Sequence, residues 1–242
     1  MRQARFALFG LFLSLSSAGC AINPSRDVAQ FAAQSGMNSF EPFHRRLTSP
    51  EALVLPVVHD QQFSGPACGA HALASVVNYW RGPGALEGAA LFASQPPEAK
   101  AGYSMAELLA IARANGLAAS AVRLDEAHII RELEQGRPVL IPVNLPSIYV
   151  QQRVMPGGET PVVGHVRNFV INRAGRVSEF AGLAMVDHYL LVVGYDETRF
   201  VVVEPVMGYR TITRARLARY REAFANAAMV FSGPPRAAGA VS

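Results

Sequence analysis

Of the two cysteines in this chain of 242 residues, Cys20 ends an N-terminal segment that reads as a processing signal, which leaves Cys68 as the sole thiol of the processed chain. Cys68 opens the stretch Cys68-Gly69-Ala70-His71-Ala72-Leu73-Ala74-Ser75-Val76-Val77-Asn78-Tyr79-Trp80. Leu73, Val76, Val77 and Trp80, at i, i+3, i+4 and i+7, predict an amphipathic helix closed by Gly82-Pro83-Gly84. A thiol in the first turn of a helix faces unpaired N–H groups and the positive end of the dipole, which favour the thiolate. A thiolate supplied with a base and an oxyanion donor can attack a carbonyl and form an acyl-enzyme.

The chain offers residues for each accessory role. Gln62 lies six residues before Cys68, in the turn leading to the helix. From there its side-chain amide could share a space with the Cys68 main-chain N–H, and two such donors make an oxyanion hole. His188 opens an apolar run, Tyr189 to Val193, followed by a turn near Asp196-Glu197-Thr198 and a second run, Phe200 to Val203, with Glu204 sixteen residues after His188. If the runs pair as a hairpin, His188 and Glu204 fall directly or diagonally across one face, roughly 5–8 Å between Cβ atoms. A carboxylate there would hold the tautomer of the imidazole and stabilise its charged form. Two other histidines compete for the base: His165, in Gly164-His165-Val166, has no hairpin with a carboxylate behind it, and His71, at i+3 from Cys68, reads more simply as a partly exposed helix residue.

These side chains need a helix and a sheet to bring them together. Leu53 to Val58 predicts a short strand. Ser104 with Glu107 forms a capping box for a helix through Leu108 and Ile111 to Gly116, and a further helix runs from Asp125 through Ile129 and Leu133 to Gly136, before a strand over Val139 to Val143. Leu217, Tyr220 and Phe224 mark a last helix face, on which Arg214, Arg216, Arg219 and Arg221 read as a solvated basic surface. Residues 145–187 read as an excursion over the surface, with a strand at Val166 to Asn172 and a turn at Arg173-Ala174-Gly175, together a second hairpin. Helices before strands predict an α+β fold with a mostly antiparallel sheet.

Gln62-x5-Cys68-Gly69-Ala70-x-Ala72-Leu73-Ala74, with His188-Tyr189-Leu190-Leu191-Val192-Val193-Gly194-Tyr195-Asp196 and Glu204-Pro205, resembles the bacteriocin-processing, double-glycine-leader peptidases of the C39 type and their stand-alone relatives in the papain clan. The resemblance covers about residues 53–144 and 188–231. It implies a papain-like fold, a helix bearing Cys68 packed on an antiparallel sheet bearing His188. By position it implies Cys68 as nucleophile, His188 as base, Gln62 as oxyanion donor and Glu204 as orienter. The family usually has Asp-Pro where this chain has Glu204-Pro205, and it has no counterpart to the excursion. No Gly-x4-Gly-Lys-Ser/Thr phosphate loop occurs, so these residues are not a peptide exporter.

The N-terminal signal sets the address. Arg2 and Arg5 precede an apolar stretch, Phe6 to Ala18, too short to span a membrane, and Ser17-Ala18-Gly19-Cys20 resembles the lipobox of bacterial lipoproteins. Cys20 is therefore the expected lipidation site, on the periplasmic side of a bacterial membrane. Ala21 resembles the outer-membrane address in two-membrane bacteria. Residues 21–50 suit a tether, residues 51–233 a single peptidase-like domain and residues 234–242 a disordered tail.

The formal charge of +4 falls to +2 without Arg2 and Arg5, and no basic run is interleaved with aromatics, which argues against nucleic acid as a partner. No zinc-ligand spacing occurs, and neither metal nor cofactor is expected. The reading is a lipid-anchored envelope cysteine peptidase acting on a peptide or isopeptide bond. Its alternatives are acyl transfer on the same residues and an inactive papain-fold lipoprotein that binds a peptide or envelope partner.

Overall fold

The computed structural model describes residues 53–63, 65–150, 170, 173–206 and 208–234. The signal, Cys20, the tether and His165 lie outside them, as does the strand expected at Val166 to Asn172 apart from Val170, which is helical.

A twisted antiparallel sheet carries the fold. Its elements are β1 (Leu53–Val54), β2 (Ala118–Arg123), β3 (Val139–Pro146), β4 (Met185–Tyr195), β5 (Arg199–Glu204), β6 (Gly208–Thr213) and β7 (Ala227–Ser232). They are ordered β2-β7-β3-β4-β5-β6, and β1 pairs with the end of β4. The expected hairpin is β4–β5: Leu191 stands opposite Val203, and Asp196 Oδ1 accepts from the main-chain N–H groups of Thr198 (2.8 Å) and Arg199 (2.7 Å) to close its turn. The register shifts at Val193, between Val192 and Gly194. A Cβ on Gly194 would lie 2.3 Å from the Leu53 carbonyl oxygen, so only glycine lets β1 dock on β4. The apolar run Leu53 to Val58 is thus a strand over its first two residues alone.

Six helices surround the sheet among the described residues: α1 (Cys68–Arg81), α2 (Gly88–Ser94), α3 (Met105–Ala114), α4 (Glu126–Glu134), α5 (173–181) and α6 (Arg214–Glu222). The Ser104–Glu107 capping box opens α3, and Asp125 caps α4 by accepting from the His128 N–H at 2.8 Å. Contrary to the amphipathic expectation, α1 is buried from Cys68 to Tyr79, because α2, α3 and β4 pack around it. It is the central helix of the molecule, and Leu73, Val76 and Val77 are wholly enclosed.

The excursion differs from expectation. β3 and β4 stay paired to Pro146 and Met185, and Arg173-Ala174-Gly175 is not a turn but helical, in α5. Gly175 permits this helix, since a Cβ there would overlap the Tyr149 ring. The arginines of α6 are not one solvated surface either. Arg216 and Arg221 are buried, the former bonded to Glu179 and tyrosines, the latter to the Leu124 and Asn226 carbonyls.

Candidate active site

The site assembles where the N-terminus of α1 meets the first half of β4. Cys68 is the first residue of α1, and no side chain caps that terminus, so the first-turn N–H groups remain available to an anion. Its buried sulfur lies within hydrogen-bonding reach of the His188 imidazole and of the main-chain N–H groups of Tyr189 and Gly69.

His188 and Glu204 come together across the hairpin. Leu191 opposite Val203 sets Glu204 opposite Leu190 and diagonal to His188, on the face those two residues share. His188 Nε2 meets Glu204 Oε1 at 2.7 Å, so a side chain one methylene longer than the aspartate expected from the resemblance reaches the ring. The same Oε1 accepts from the Val206 N–H at 3.0 Å. With Nε2 engaged, Nδ1 is the ring nitrogen left for the Cys68 sulfur. Glu204 is wholly buried and His188 is 7% exposed.

This burial raises the interaction between charges. It pushes the Cys68 thiol up, but the His188 charge, its hydrogen bond and the two main-chain N–H groups outweigh it, and the thiol titrates below its ordinary value. For His188, burial acts downward, while the Cys68 thiolate and then Glu204 overcome it and push the ring up to about 10. Both shifts favour the thiolate–imidazolium pair over two neutral groups.

Gln62 sits before α1 and is 6% exposed. Its main-chain N–H donates to the Pro205 carbonyl (2.8 Å) and its Nε2 to the Gly65 carbonyl (2.5 Å), which leaves a second amide hydrogen, while Oε1 is buried without a partner. The Pro205 carbonyl, which directly follows Glu204, also accepts from His59 Nε2 at 2.8 Å. The loop through His59 to Gln62 therefore clamps the turn that carries Glu204.

Sequence reasoning missed that clamp. It also missed the partner of His71, which is buried, not partly exposed, and bonded through Nδ1 to Asp60. Asp60 in turn accepts from the Gly88 N–H, and its own main-chain N–H donates to Ser75 Oγ at 3.0 Å. His71 is thus committed to the loop and not to Cys68. The short span from Val57 to Gln62 gave no period from which these bonds could be read. Among the described residues, no group of three or more His, Cys, Asp or Glu could hold a metal ion.

No protein-family model and no curated protein sequence matches the chain. Among solved structures, a Bacillus anthracis protein assigned as a C39-like peptidase superposes with a TM-score of 0.52 at 14% identity, over 77% of this chain and 100% of its own. The peptidase domain of Streptococcus ComA, a bifunctional ABC transporter of a quorum-sensing pathway, aligns with a TM-score of 0.47 at 14% identity, over 76% of this chain and 99% of its own. A double glycine motif protease from an AMS/PCAT transporter, solved with its leader peptide, aligns with a TM-score of 0.45 at 15% identity, over 79% and 100%. The first of these likenesses, together with the helix-on-antiparallel-sheet architecture, gives the chain the papain-like fold of C39-type peptidases.

Proposed function

We propose that this chain is a lipid-anchored cysteine peptidase of the bacterial cell envelope, with Cys68 as nucleophile, His188 as general base and acid, Glu204 as the residue that orients His188, and Gln62 as an oxyanion donor. The observation that carries the reading is the enclosed contact of the Cys68 sulfur with a ring whose Nε2 is held by Glu204 at 2.7 Å. In the resting pair the Cys68 proton resides on His188 Nδ1. The thiolate attacks the carbonyl carbon of a peptide or isopeptide bond, and the oxyanion is held by the Cys68 main-chain N–H and the second amide hydrogen of Gln62. Collapse of the tetrahedral intermediate breaks the C–N bond as Nδ1–H protonates the leaving amine, giving a thioester. Water, giving its proton to Nδ1, then releases the acid and restores the pair. Glu204 keeps the proton-carrying nitrogen aimed at sulfur throughout. Acylated Cys20, joined to Leu53 by 32 residues, would hold the catalytic domain within on the order of 100 Å of the membrane.

An electrophilic peptide probe followed by intact mass spectrometry tests the reaction. A single adduct on the wild-type chain that is absent from Cys68→Ser and depleted in His188→Ala supports it. An unlabelled wild-type chain under reducing conditions would leave only a peptide-binding lipoprotein.

A further inference from the structure

α5 is built inside out for a surface helix. Its one carboxylate, Glu179, points inward and binds Arg216, itself only 3% exposed, through Nε (3.0 Å) and Nη2 (2.7 Å), and it also accepts from the Tyr220 hydroxyl. Arg216 Nη2 further donates to the Tyr149 hydroxyl at 2.6 Å, and its guanidinium lies over the Tyr149 and Tyr220 rings. At 100° per residue Arg173, Arg176, Val177 and Phe180 fall within one arc of about 100°, centred about 110° around the helix from Glu179. Phe180 is 96% exposed, Val177 63% and Leu183, just beyond the helix, 63%. A helix that turns its acid inward and displays its aromatic presents a face suited to an apolar partner.

Cations border this apolar face. Below Phe180 opens a cavity of about 650 Å³ whose described charged lining is Arg176, Arg216, Arg219 and Glu179. Arg219 is mainly exposed and reaches only the second oxygen of Glu179, at 3.6 Å. Asn144, also in the lining, holds the carboxylate of the adjacent Asp187 at 2.7 Å. Guanidinium groups beside exposed Val, Phe and Leu match the polar–apolar boundary of an anionic bilayer, where basic side chains meet phosphates and apolar ones enter the acyl layer.

We infer that α5 and the arginine-lined cavity beneath it form a docking surface for an anionic phospholipid bilayer, Phe180, Val177 and Leu183 entering the acyl boundary while Arg176 and Arg219 take phosphate head groups. The inference draws on the lipid-anchor reading for one thing, the nearness of the membrane: a tethered domain meets the surface at high effective concentration, so a weak contact suffices. Since β4 begins two residues after Leu183, docking would also fix how the strand bearing His188 stands relative to the membrane.

The test places a reporter in the face of the intact chain. Phe180→Trp, measured against the wild-type background of Trp80, is mixed with vesicles of phosphatidylglycerol and phosphatidylcholine carrying brominated acyl chains, and with vesicles of phosphatidylcholine alone. Docking predicts quenching of the introduced indole on the anionic vesicles and binding about 25-fold weaker when Arg176→Gln and Arg219→Gln are combined, a factor of about five for each charge. Quenching that is equal on both vesicles and indifferent to those arginines overturns the head-group site, and no quenching on either overturns the surface. An introduced indole that is shielded before vesicles are added, and released by dilution, would assign the face to another protein or a second copy instead. Flotation of the Phe180→Ser chain reads the acyl anchor separately, and peptide-probe labelling reads the catalytic reading separately, so each can fail alone.

Discussion

Replacing Glu204 with the aspartate usual in the resembling peptidases should impair this site. The substitution removes one methylene and withdraws the carboxylate by ~1.5 Å. Oε1 now serves both His188 Nε2, at 2.7 Å, and the Val206 N–H, at 3.0 Å. A shorter side chain cannot serve both. An aspartate readily accepts from the N–H two residues on, so it would stay with Val206 and leave Nε2 at ~4 Å, beyond hydrogen bonding. A hydrogen bond to a charged group contributes ~1.5–3 kcal/mol, which at 1.36 kcal/mol per pKa unit lowers the proton affinity of His188 by roughly one to two pKa units. The thiolate–imidazolium pair would then become roughly 10- to 100-fold less favoured over the neutral pair. The assay is the rate of iodoacetamide alkylation of Cys68 against pH, with circular dichroism to establish that the fold is kept. The wild-type rate should rise well below the ordinary thiol value of ~8.5, and the Glu204→Asp rise should lie higher with slower reaction at neutral pH. A Glu204→Asp chain with the wild-type profile would falsify the orienting role assigned to Glu204.

Other consequences are as specific. Gln62→Ala should lower kcat on a peptide substrate roughly 10²- to 10³-fold while leaving the alkylation rate of Cys68 unchanged, because an oxyanion donor acts after attack. Gly88→Ala would set a Cβ 2.6 Å from both Asp60 Oδ1 and His71 Nδ1, and should cost ~1–3 kcal/mol in urea denaturation by forcing the loop that bears Gln62 away from α1. Arg216→Met leaves Glu179 and the Tyr149 hydroxyl without their buried partner, and should lower stability by ~3–5 kcal/mol, measured as a fall in the urea midpoint at constant m. Stability against pH should also report the pair. The raised His188 contributes fully below its ordinary value of 6.5 and is lost as pH passes about 10, so the thermal midpoint should fall there, and less so in Cys68→Ser, where the thiolate that supports the ring is gone.

The half of the molecule that holds Cys68 and His188 could be read because its elements obey local rules. Apolar spacing marked α1, Ser104–Glu107 and Asp125 marked helix starts, and two Val/Leu runs around Asp196 marked the β4–β5 hairpin. Edge and inverted elements were illegible for a physical reason. β2, Ala-Ala-Ser-Ala-Val-Arg, lies at the sheet edge and buries only Ala119, so it lacks the alternation that announces a strand. α5 turns Glu179 inward to Arg216 and exposes Phe180, the reverse of the pattern used to find helices. Arg216 read as solvated because its counter-charge and the Tyr149 hydroxyl come from segments distant in sequence. In the site, the His188–Glu204 pairing followed from hairpin register, whereas the clamp of His59 and Gln62 on Pro205 joins residues more than 140 apart and leaves no local trace.

Ultraviolet absorbance of the thiolate, taken as the wild-type chain minus Cys68→Ser and titrated across pH with and without His188→Ala, bears most directly on the proposed chemistry. A Cys68–His188 ion pair gives a difference band already present at neutral pH that moves to the alkaline range in His188→Ala. A band that emerges only above ~8.5 in both chains would mean an ordinary buried thiol, and the peptidase assignment would not stand.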